Sequence, residues 1–103
     1  MSSHTEFDMD GRWRVHPQVA LRPESFGALL YHFGTRKLSF LKDRTIVALV
    51  QALDQSVDGA AAFDKVGIAP AARELYVRAL TTLVMSHMIV RESVDATPRG
   101  AVA

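Results

Sequence analysis

Apolar and polar residues alternate with period two over residues 27–33 and 36–41, and they change to a helical spacing further along the chain. A period of two is typical of a strand with one face against a core. Gly34 and Thr35 interrupt the alternation, and a two-residue turn that begins with glycine favours the type II′ geometry. Residues 27–41 therefore predict a β-hairpin.

This turn fixes which side chains of the hairpin share a face. Phe33 is expected opposite Arg36, and the pairing continues toward the strand ends. One face then carries Leu29, Tyr31, Phe33, Leu38 and Phe40, and the other carries Leu30, His32, Lys37, Ser39 and Leu41. We expect the first face to hold the sheet against the helices and the second to be a half-polar surface.

Shorter extended segments flank this hairpin. Alternation predicts a first strand over Gln18–Arg22, and Pro17 breaks the preceding pattern into an irregular lead-in. Trp13 in the lead-in is expected to cover the core. The first strand and the hairpin together predict a three-stranded antiparallel meander. Met88–Val90 predicts a separate, short final strand.

Two helices with clear end signals follow the hairpin. Asp43 is expected to cap a helix over Arg44–Leu53, and Asp58 a helix over Gly59–Val66, because a carboxylate accepts the free amides of a first turn. Gly67 suits the left-handed conformation that ends the second helix.

A third helix is expected from Pro70 to about Ser86, since proline suits a first turn. Apolar residues cover roughly half of its circumference, more than the stripe of about 100° that docking on one core needs. This width predicts burial on two sides or a strip that is open to a partner.

The order of the elements indicates an α+β fold, a three-stranded antiparallel sheet followed by three helices, which is also the outline of a winged helix. The 103 residues are enough for one core. We expect a flexible N-terminal arm over 1–12, a domain over 13–92 and a disordered C-terminal tail over 93–103.

Composition disfavours several classes of function. A net charge of +1 disfavours a nucleic-acid binder, and the absence of cysteine removes disulfides and thiolate ligands. The first residues do not form a signal peptide, and the longest apolar runs fall short of the ~18 residues of a membrane span, so a cytoplasmic protein is expected.

The sequence has no pattern that indicates catalysis. The four histidines, His4, His16, His32 and His87, lack the spacing of a metal site, and no phosphate-binding loop or nucleophile motif is present. We therefore expect a protein that is not an enzyme and needs no metal or cofactor. A binding role is better motivated, because the edge of an open sheet can accept an extended peptide as an added strand. Alternatively, the third helix or the final strand covers that edge.

Two runs resemble a known family: LLYHFGTRKLSFLKDRTIVALVQAL and LTTLVMSHMIV. They are similar to precursor-peptide recognition domains, which include the peptide chaperones of pyrroloquinoline-quinone and mycofactocin biosynthesis, over roughly Val19–Val90. The resemblance implies a winged-helix-like fold that binds the leader of a ribosomal precursor peptide as an added strand. It also implies presentation of that peptide to an iron–sulfur radical S-adenosylmethionine maturase, which in the mycofactocin pathway modifies a C-terminal Val-Tyr.

The resemblance places the peptide between the third strand, Arg36–Leu41, and the third helix. The implied binding residues are Arg36, Lys37, Leu38, Ser39 and Phe40 on the strand and Arg73, Tyr76, Val77, Leu80 and Val84 on the helix. Other roles stay open: the apolar members can be core, the charged members can be solvated, and the leader can bind the opposite edge. A proline at Ser39 is expected to weaken leader binding more than folding.

Two other functions remain as alternatives. One is a winged-helix DNA-binding regulator, although the third helix offers only Arg73 and Arg78, partly balanced by Glu74. The other is a structural subunit of an enzyme complex. We expect no nucleic-acid or membrane partner, and a monomer or a weak homodimer, since a sheet edge can also pair with its own copy.

Overall fold

The computed structural model describes residues 6–92; the first five residues and the predicted tail, 93–103, lie outside that range. It contains a two-stranded sheet, a three-stranded antiparallel sheet in the order β2-β3-β4, and three helices, which confirms the α+β class. The elements are β1 (Arg12–Val15), β2 (Val19–Glu24), β3 (Gly27–His32), β4 (Leu38–Leu41), α1 (Arg44–Leu53), α2 (Gly59–Val66), a 3₁₀ turn (Pro70–Ala72), α3 (Arg73–Met85) and β5 (Ile89–Glu92).

The helices begin and end where their sequence signals predict. Asp43 Oδ1 accepts from the N–H of Ile46 at 2.8 Å, and Asp58 Oδ1 accepts from the N–H of Ala61 at 2.8 Å. Gly67 ends α2 in the left-handed conformation with φ 83°. The third helix starts as the 3₁₀ turn at Pro70 and continues as α3.

The lead-in around Trp13 is a strand, so the prediction of an irregular segment was wrong. It pairs antiparallel with β5, from Arg12 opposite Glu92 to Val15 opposite Ile89. Its partner lies at the far end of the chain, and local alternation interrupted by a proline does not reveal such a pairing. As expected, Trp13 is buried, and its Nε1 donates to the Asp8 carbonyl at 2.8 Å.

Part of the predicted N-terminal arm is held against the core. Phe7 is buried, its ring stacks on Trp13 with the centroids 5.1 Å apart, and its N–H donates to Thr81 Oγ1 at 3.1 Å. Residues 7–11 therefore add to the packing under α3 and β1.

The hairpin has the predicted register but a different turn. Tyr31 lies opposite Leu38 and Leu29 opposite Phe40, as expected. The chain turns through the wider loop 33–37, in which Arg36 and not Gly34 has a positive φ, 66°, so the type II′ turn was wrong. The reason is His32, whose Nδ1 accepts from two N–H groups of this loop, those of Gly34 and Thr35, at 3.0 and 3.1 Å.

The two faces of the hairpin are the reverse of the prediction. The buried side carries Ala28, Leu30, His32 and Leu41, whereas Phe33, Leu38 and Phe40 are 59%, 51% and 56% exposed. Helix α1 follows β4 after two residues and packs on the Leu30 and Leu41 side with Ile46, Leu49 and Val50. The more apolar face of the hairpin is thus left in solvent.

Candidate functional site

A groove separates β4 from α3. It has a volume of about 500 Å³ and opens to solvent. One wall is β4 with the two residues that follow it, the other is one face of α3, and Ile46 of α1 lies at the base. The lining residues are Leu38, Ser39, Phe40, Leu41, Lys42, Asp43, Ile46, Leu75, Tyr76, Ala79, Thr82 and Leu83.

The free edge of the sheet borders this groove. Strand β4 is an outer strand, paired only with β3 in the three-stranded sheet. The N–H of His32 donates to the Lys37 carbonyl at 2.9 Å, and Ser39 and Leu41 face Leu30 and Ala28 in the same register. Because backbone groups alternate in direction along a strand, those of Leu38 and Phe40 point away from β3. The edge thus presents two N–H and two carbonyl groups.

The α3 wall is apolar and partly open. Leu75 is 63% exposed, Tyr76 and Ala79 are half-buried, and Leu83 is buried below them. A partner that covers an exposed apolar side chain such as Leu75 gains binding free energy, about 25 cal/mol per Å² of apolar area removed from water. The groove therefore combines backbone hydrogen-bonding groups with an apolar wall.

Four of the ten predicted site residues line the groove: Leu38, Ser39, Phe40 and Tyr76. Arg36 and Lys37 lie in the loop just before β4, exposed and outside the lining.

The remaining predicted residues of the third helix lie elsewhere. Arg73 pairs with Asp64 at 3.1 Å, and its guanidinium lies over the Phe63 ring, 5.7 Å from the centroid. Leu80 and Val84 are buried in the core, and Val77 packs partly buried against it. The structure does not bring these four to the groove.

Eight lining residues were not on the predicted list: Leu41, Lys42, Asp43, Ile46, Leu75, Ala79, Thr82 and Leu83. Those on α3 repeat at the spacing i, i+4, i+7, i+8, which marks one face of a helix. That face is turned by about 100°, one residue, from the face that contains Leu80 and Val84. The sequence signal for this face was the wide apolar arc of the third helix, and Leu75 lies at the edge of that arc that stays exposed.

The site offers binding and no visible reaction chemistry. Lys42 and Asp43 are its charged side chains, and the Asp43 carboxylate caps α1. Within residues 6–92, His, Asp and Glu side chains form no group that could hold a metal ion. Over the same residues, the helices are too short or too polar to cross a membrane.

Comparison with known proteins agrees with a binding role. The sequence model of the Peptide chaperone MftB family matches residues 12–90. The peptide chaperone MftB of Mycobacterium tuberculosis is 56% identical over 86 residues, which cover 84% of this chain and 79% of that protein. The Mycobacterium ulcerans protein of the same name is 53% identical over 89 residues, 86% of this chain and 82% of that protein. The Mycolicibacterium smegmatis protein is 55% identical over 84 residues, 82% of each chain.

No solved structure matches the chain significantly. The names of the relatives describe a peptide chaperone, a role without catalysis, and this confirms the prediction that the protein is not an enzyme. The chain belongs to the Peptide chaperone MftB family.

Proposed function

We propose that this protein binds the leader of a ribosomally synthesised precursor peptide as a strand added to β4, and presents it in the cytoplasm to a radical S-adenosylmethionine maturase of mycofactocin biosynthesis. The observation that carries the proposal is the outer strand β4, whose free edge borders the apolar groove. Membership in a family of peptide chaperones supports a peptide as the ligand.

The backbone edge supplies the first part of the binding. A peptide strand lying about 4.8 Å from β4 can exchange four hydrogen bonds with Leu38 and Phe40, the two residues whose groups point outward. These bonds depend little on the peptide sequence, so they hold the leader without selecting it.

The α3 wall supplies selection. Side chains of an added strand alternate, so every second one points into the groove toward Leu75, Tyr76 and Ala79. Apolar residues fit this wall best, and a carboxylate at the leader end beside Lys42 gains a charged partner. The preferred leader segment is therefore apolar at alternate positions.

A pair of proline variants tests strand addition. Phe40→Pro removes an N–H that points to the free edge, so leader binding is expected to weaken tenfold or more, about 1.4 kcal/mol, with a small change in unfolding free energy. Phe40→Ala keeps this N–H and reports the contribution of the side chain alone. Isothermal titration with the precursor peptide gives the affinities, and urea unfolding gives the stabilities.

Ser39→Pro is the matched comparison. The Ser39 N–H points to β3 opposite Leu30, so proline there breaks the ladder and destabilises the sheet. The expectation that Ser39→Pro spares the fold is replaced by this one. Wild-type protein that does not bind the precursor peptide would refute the proposed function, and equal binding by Phe40→Pro and Phe40→Ala would refute strand addition on β4.

The DNA-binding alternative gains no support from α3. Its two arginines are engaged with carboxylates, Arg73 with Asp64 at 3.1 Å and Arg78 with Glu74 at 3.6 Å. A recognition helix needs free basic or amide side chains toward bases and phosphates. A salt-sensitive gel shift of a specific DNA by this protein would support the DNA-binding function instead.

A further inference from the structure

The side of the three-stranded sheet that faces away from the helices is an exposed apolar surface. We call it the outer sheet face; it consists of Phe26, Leu29, Tyr31, Phe33, Leu38 and Phe40. Residues 6–92 contain seven large apolar side chains that are exposed, and four of them, Phe26, Phe33, Leu38 and Phe40, lie here at 44–59% exposure. Exposed apolar side chains that cluster in this way mark an interaction site, whereas scattered ones do not.

The aromatic rings of this face are held in pairs. Phe26 contacts Phe40 with the centroids 5.9 Å apart, and Tyr31 meets Phe33 edge to face at 4.9 Å. A depression of about 520 Å³ lies between Phe26, Phe40 and Lys42. Rings that already support one another lose little conformational freedom on binding, so the face is organised for a partner before one arrives.

Charge identifies the kind of partner. Residues 19–42 carry four basic side chains, Arg22, Arg36, Lys37 and Lys42, and a single acidic one, Glu24, in a chain whose net charge is only +1. Glu24 is paired with Arg22 at 3.4 Å. Among residues 6–92, no carboxylate lies within ion-pair distance of Arg36, Lys37 or Lys42. The apolar face therefore has a basic border at the hairpin loop and at the end of β4.

We infer that the outer sheet face docks a protein surface made of apolar side chains bordered by carboxylates. A second copy of this chain fits poorly, because a two-fold contact through the face brings the basic borders of both copies together. Resting on the proposed function, the inference assigns this docking surface to the maturase that receives the peptide.

The docking surface and the peptide edge meet at two residues. Leu38 and Phe40 turn their backbone groups to the free edge and their side chains to the outer sheet face. A leader strand added to β4 places every second side chain in a row beside them, on the same face. The maturase thus contacts chaperone and peptide through one continuous surface, so each ligand raises the affinity for the other.

A variant of the outer face that leaves the groove unchanged tests this inference. Phe26→Ser/Phe33→Ser removes two exposed rings that do not line the groove. Biolayer interferometry against immobilised maturase under anaerobic conditions is expected to show binding weakened at least tenfold. Affinity for the precursor peptide, from fluorescence anisotropy, is expected to stay within twofold. Wild-type protein saturated with leader peptide is expected to bind the maturase at least fivefold more tightly than the free protein.

Val57→Ser is the matched control, because it also removes an exposed apolar group, 73% exposed, in the segment between α1 and α2. It is expected to bind the maturase as the wild type does. The single variant Phe33→Ser gives a smaller loss in the same direction and guards against misfolding of the double variant, which circular dichroism would reveal.

Several results would overturn the inference while the proposed function stands. They are full maturase binding by the double variant, an equal loss in Val57→Ser, a leader that leaves maturase affinity unchanged, and a wild-type dimer in sedimentation equilibrium that the double variant abolishes. Loss of leader binding by the double variant also overturns it, since the face would then belong to the groove. Failure of the proposed function is recognised separately, by wild-type protein that does not bind leader peptide in the anisotropy measurement.

Discussion

At the scale of single residues, two histidines connect the hairpin loop to the chain before β2. The rings of His16 and His32 lie 4.4 Å apart. His32 is buried, and its Nδ1 accepts from two loop N–H groups, while His16 Nδ1 accepts from the Gln18 N–H at 2.9 Å. Because a protonated ring nitrogen cannot accept a hydrogen bond, the contact of His16 with Gln18 requires an unprotonated Nδ1 atom. Protonation of His16 therefore removes this contact in the chain before β2.

This arrangement predicts that acid destabilises the protein. Burial lowers the pKa of His16 below its ordinary 6.5, and the nearby His32, His87 and Arg14 lower it further. The unfolded chain then binds a proton at His16 more readily than the folded chain does. The contribution of unprotonated His16 to the unfolding free energy is fully present above about pH 6.5. It is lost as the pH falls through the lower pKa that His16 has in the folded protein. Urea unfolding at pH 7.5 and at pH 5.5 measures the loss.

His16→Asn is the control for this prediction, because its amide oxygen can accept from Gln18 without titrating. The difference in unfolding free energy between the two pH values is expected to be smaller in the variant than in the wild type. An identical pH dependence in the two proteins would show that His16 does not contribute, whatever the other histidines do.

At the scale of the elements, the β3–β4 hairpin depends on a glycine at its start. Gly27 has φ 147°, and a Cβ built there would lie 2.0 Å from the Leu41 carbonyl oxygen. Gly27→Ala is expected to push β4 off β3 and to cost roughly 2 kcal/mol or more of unfolding free energy. Leader binding should fall with it, because the peptide edge is the other side of β4. Chemical unfolding and peptide titration measure the two effects.

Gly34→Ala is the matched substitution in the same hairpin. Its added methyl group would lie 2.5 Å from Oε1 of the flexible Gln18 side chain and 3.0 Å from Cε1 of His32, and Gly34 does not have a positive φ. A much smaller loss of stability is expected, since the Gln18 side chain can move. Equal losses for Gly27→Ala and Gly34→Ala would show that contact with the Leu41 carbonyl does not control the hairpin.

The hairpin also shows how far sequence predicts this fold. The caps at Asp43 and Asp58 and the end at Gly67 are local signals, and the structure has each of them in place. The prediction of which hairpin face is buried was wrong, because the exposed face is the more apolar one. It carries Leu29, Tyr31, Leu38 and Phe40. A rule that buries the more apolar face fails here, because the helices pack on the less apolar face of the hairpin and the other face stays exposed.

The same limit applies to the site. The resemblance predicted a binding site along the third strand, and three of the residues that it implied, Leu38, Ser39 and Phe40, line the groove. On α3, the predicted residues Leu80 and Val84 lie on a face about 100° around the helix from the face that lines the groove, and they are buried in the core. A wide apolar arc does not show which part of a helix faces the core. Only the packing of α3 on the core determines that Leu75 stays open.

At the scale of the whole molecule, the two walls of the groove belong to different parts of the fold. Strand β4 is held by β3 and continues into α1. Helix α3 is anchored by Leu80, Leu83 and Val84 in the core, and β5, which follows it, pairs with β1. Between the walls, Ile46 and Leu83 are buried at the base while Leu38 and Leu75 above them stay exposed. A bound strand would connect the walls and cover the exposed Leu75 side chain.

A ligand in this position should stabilise the folded protein as a unit. Leader peptide at about 100 times its dissociation constant contributes about 2.7 kcal/mol, because it binds the folded chain and not the unfolded one. For a domain of this size that corresponds to a rise in Tm of roughly 10 °C or more. Differential scanning fluorimetry with increasing precursor peptide measures the rise. Val57→Ser should show the full shift. Phe40→Pro, whose affinity is expected to fall tenfold or more, should show about half of it or less at the same peptide concentration, because the peptide then contributes about 1.4 kcal/mol at most. An equal shift in Phe40→Pro would mean that the peptide is held away from the β4 edge, and the groove between β4 and α3 would then need another ligand.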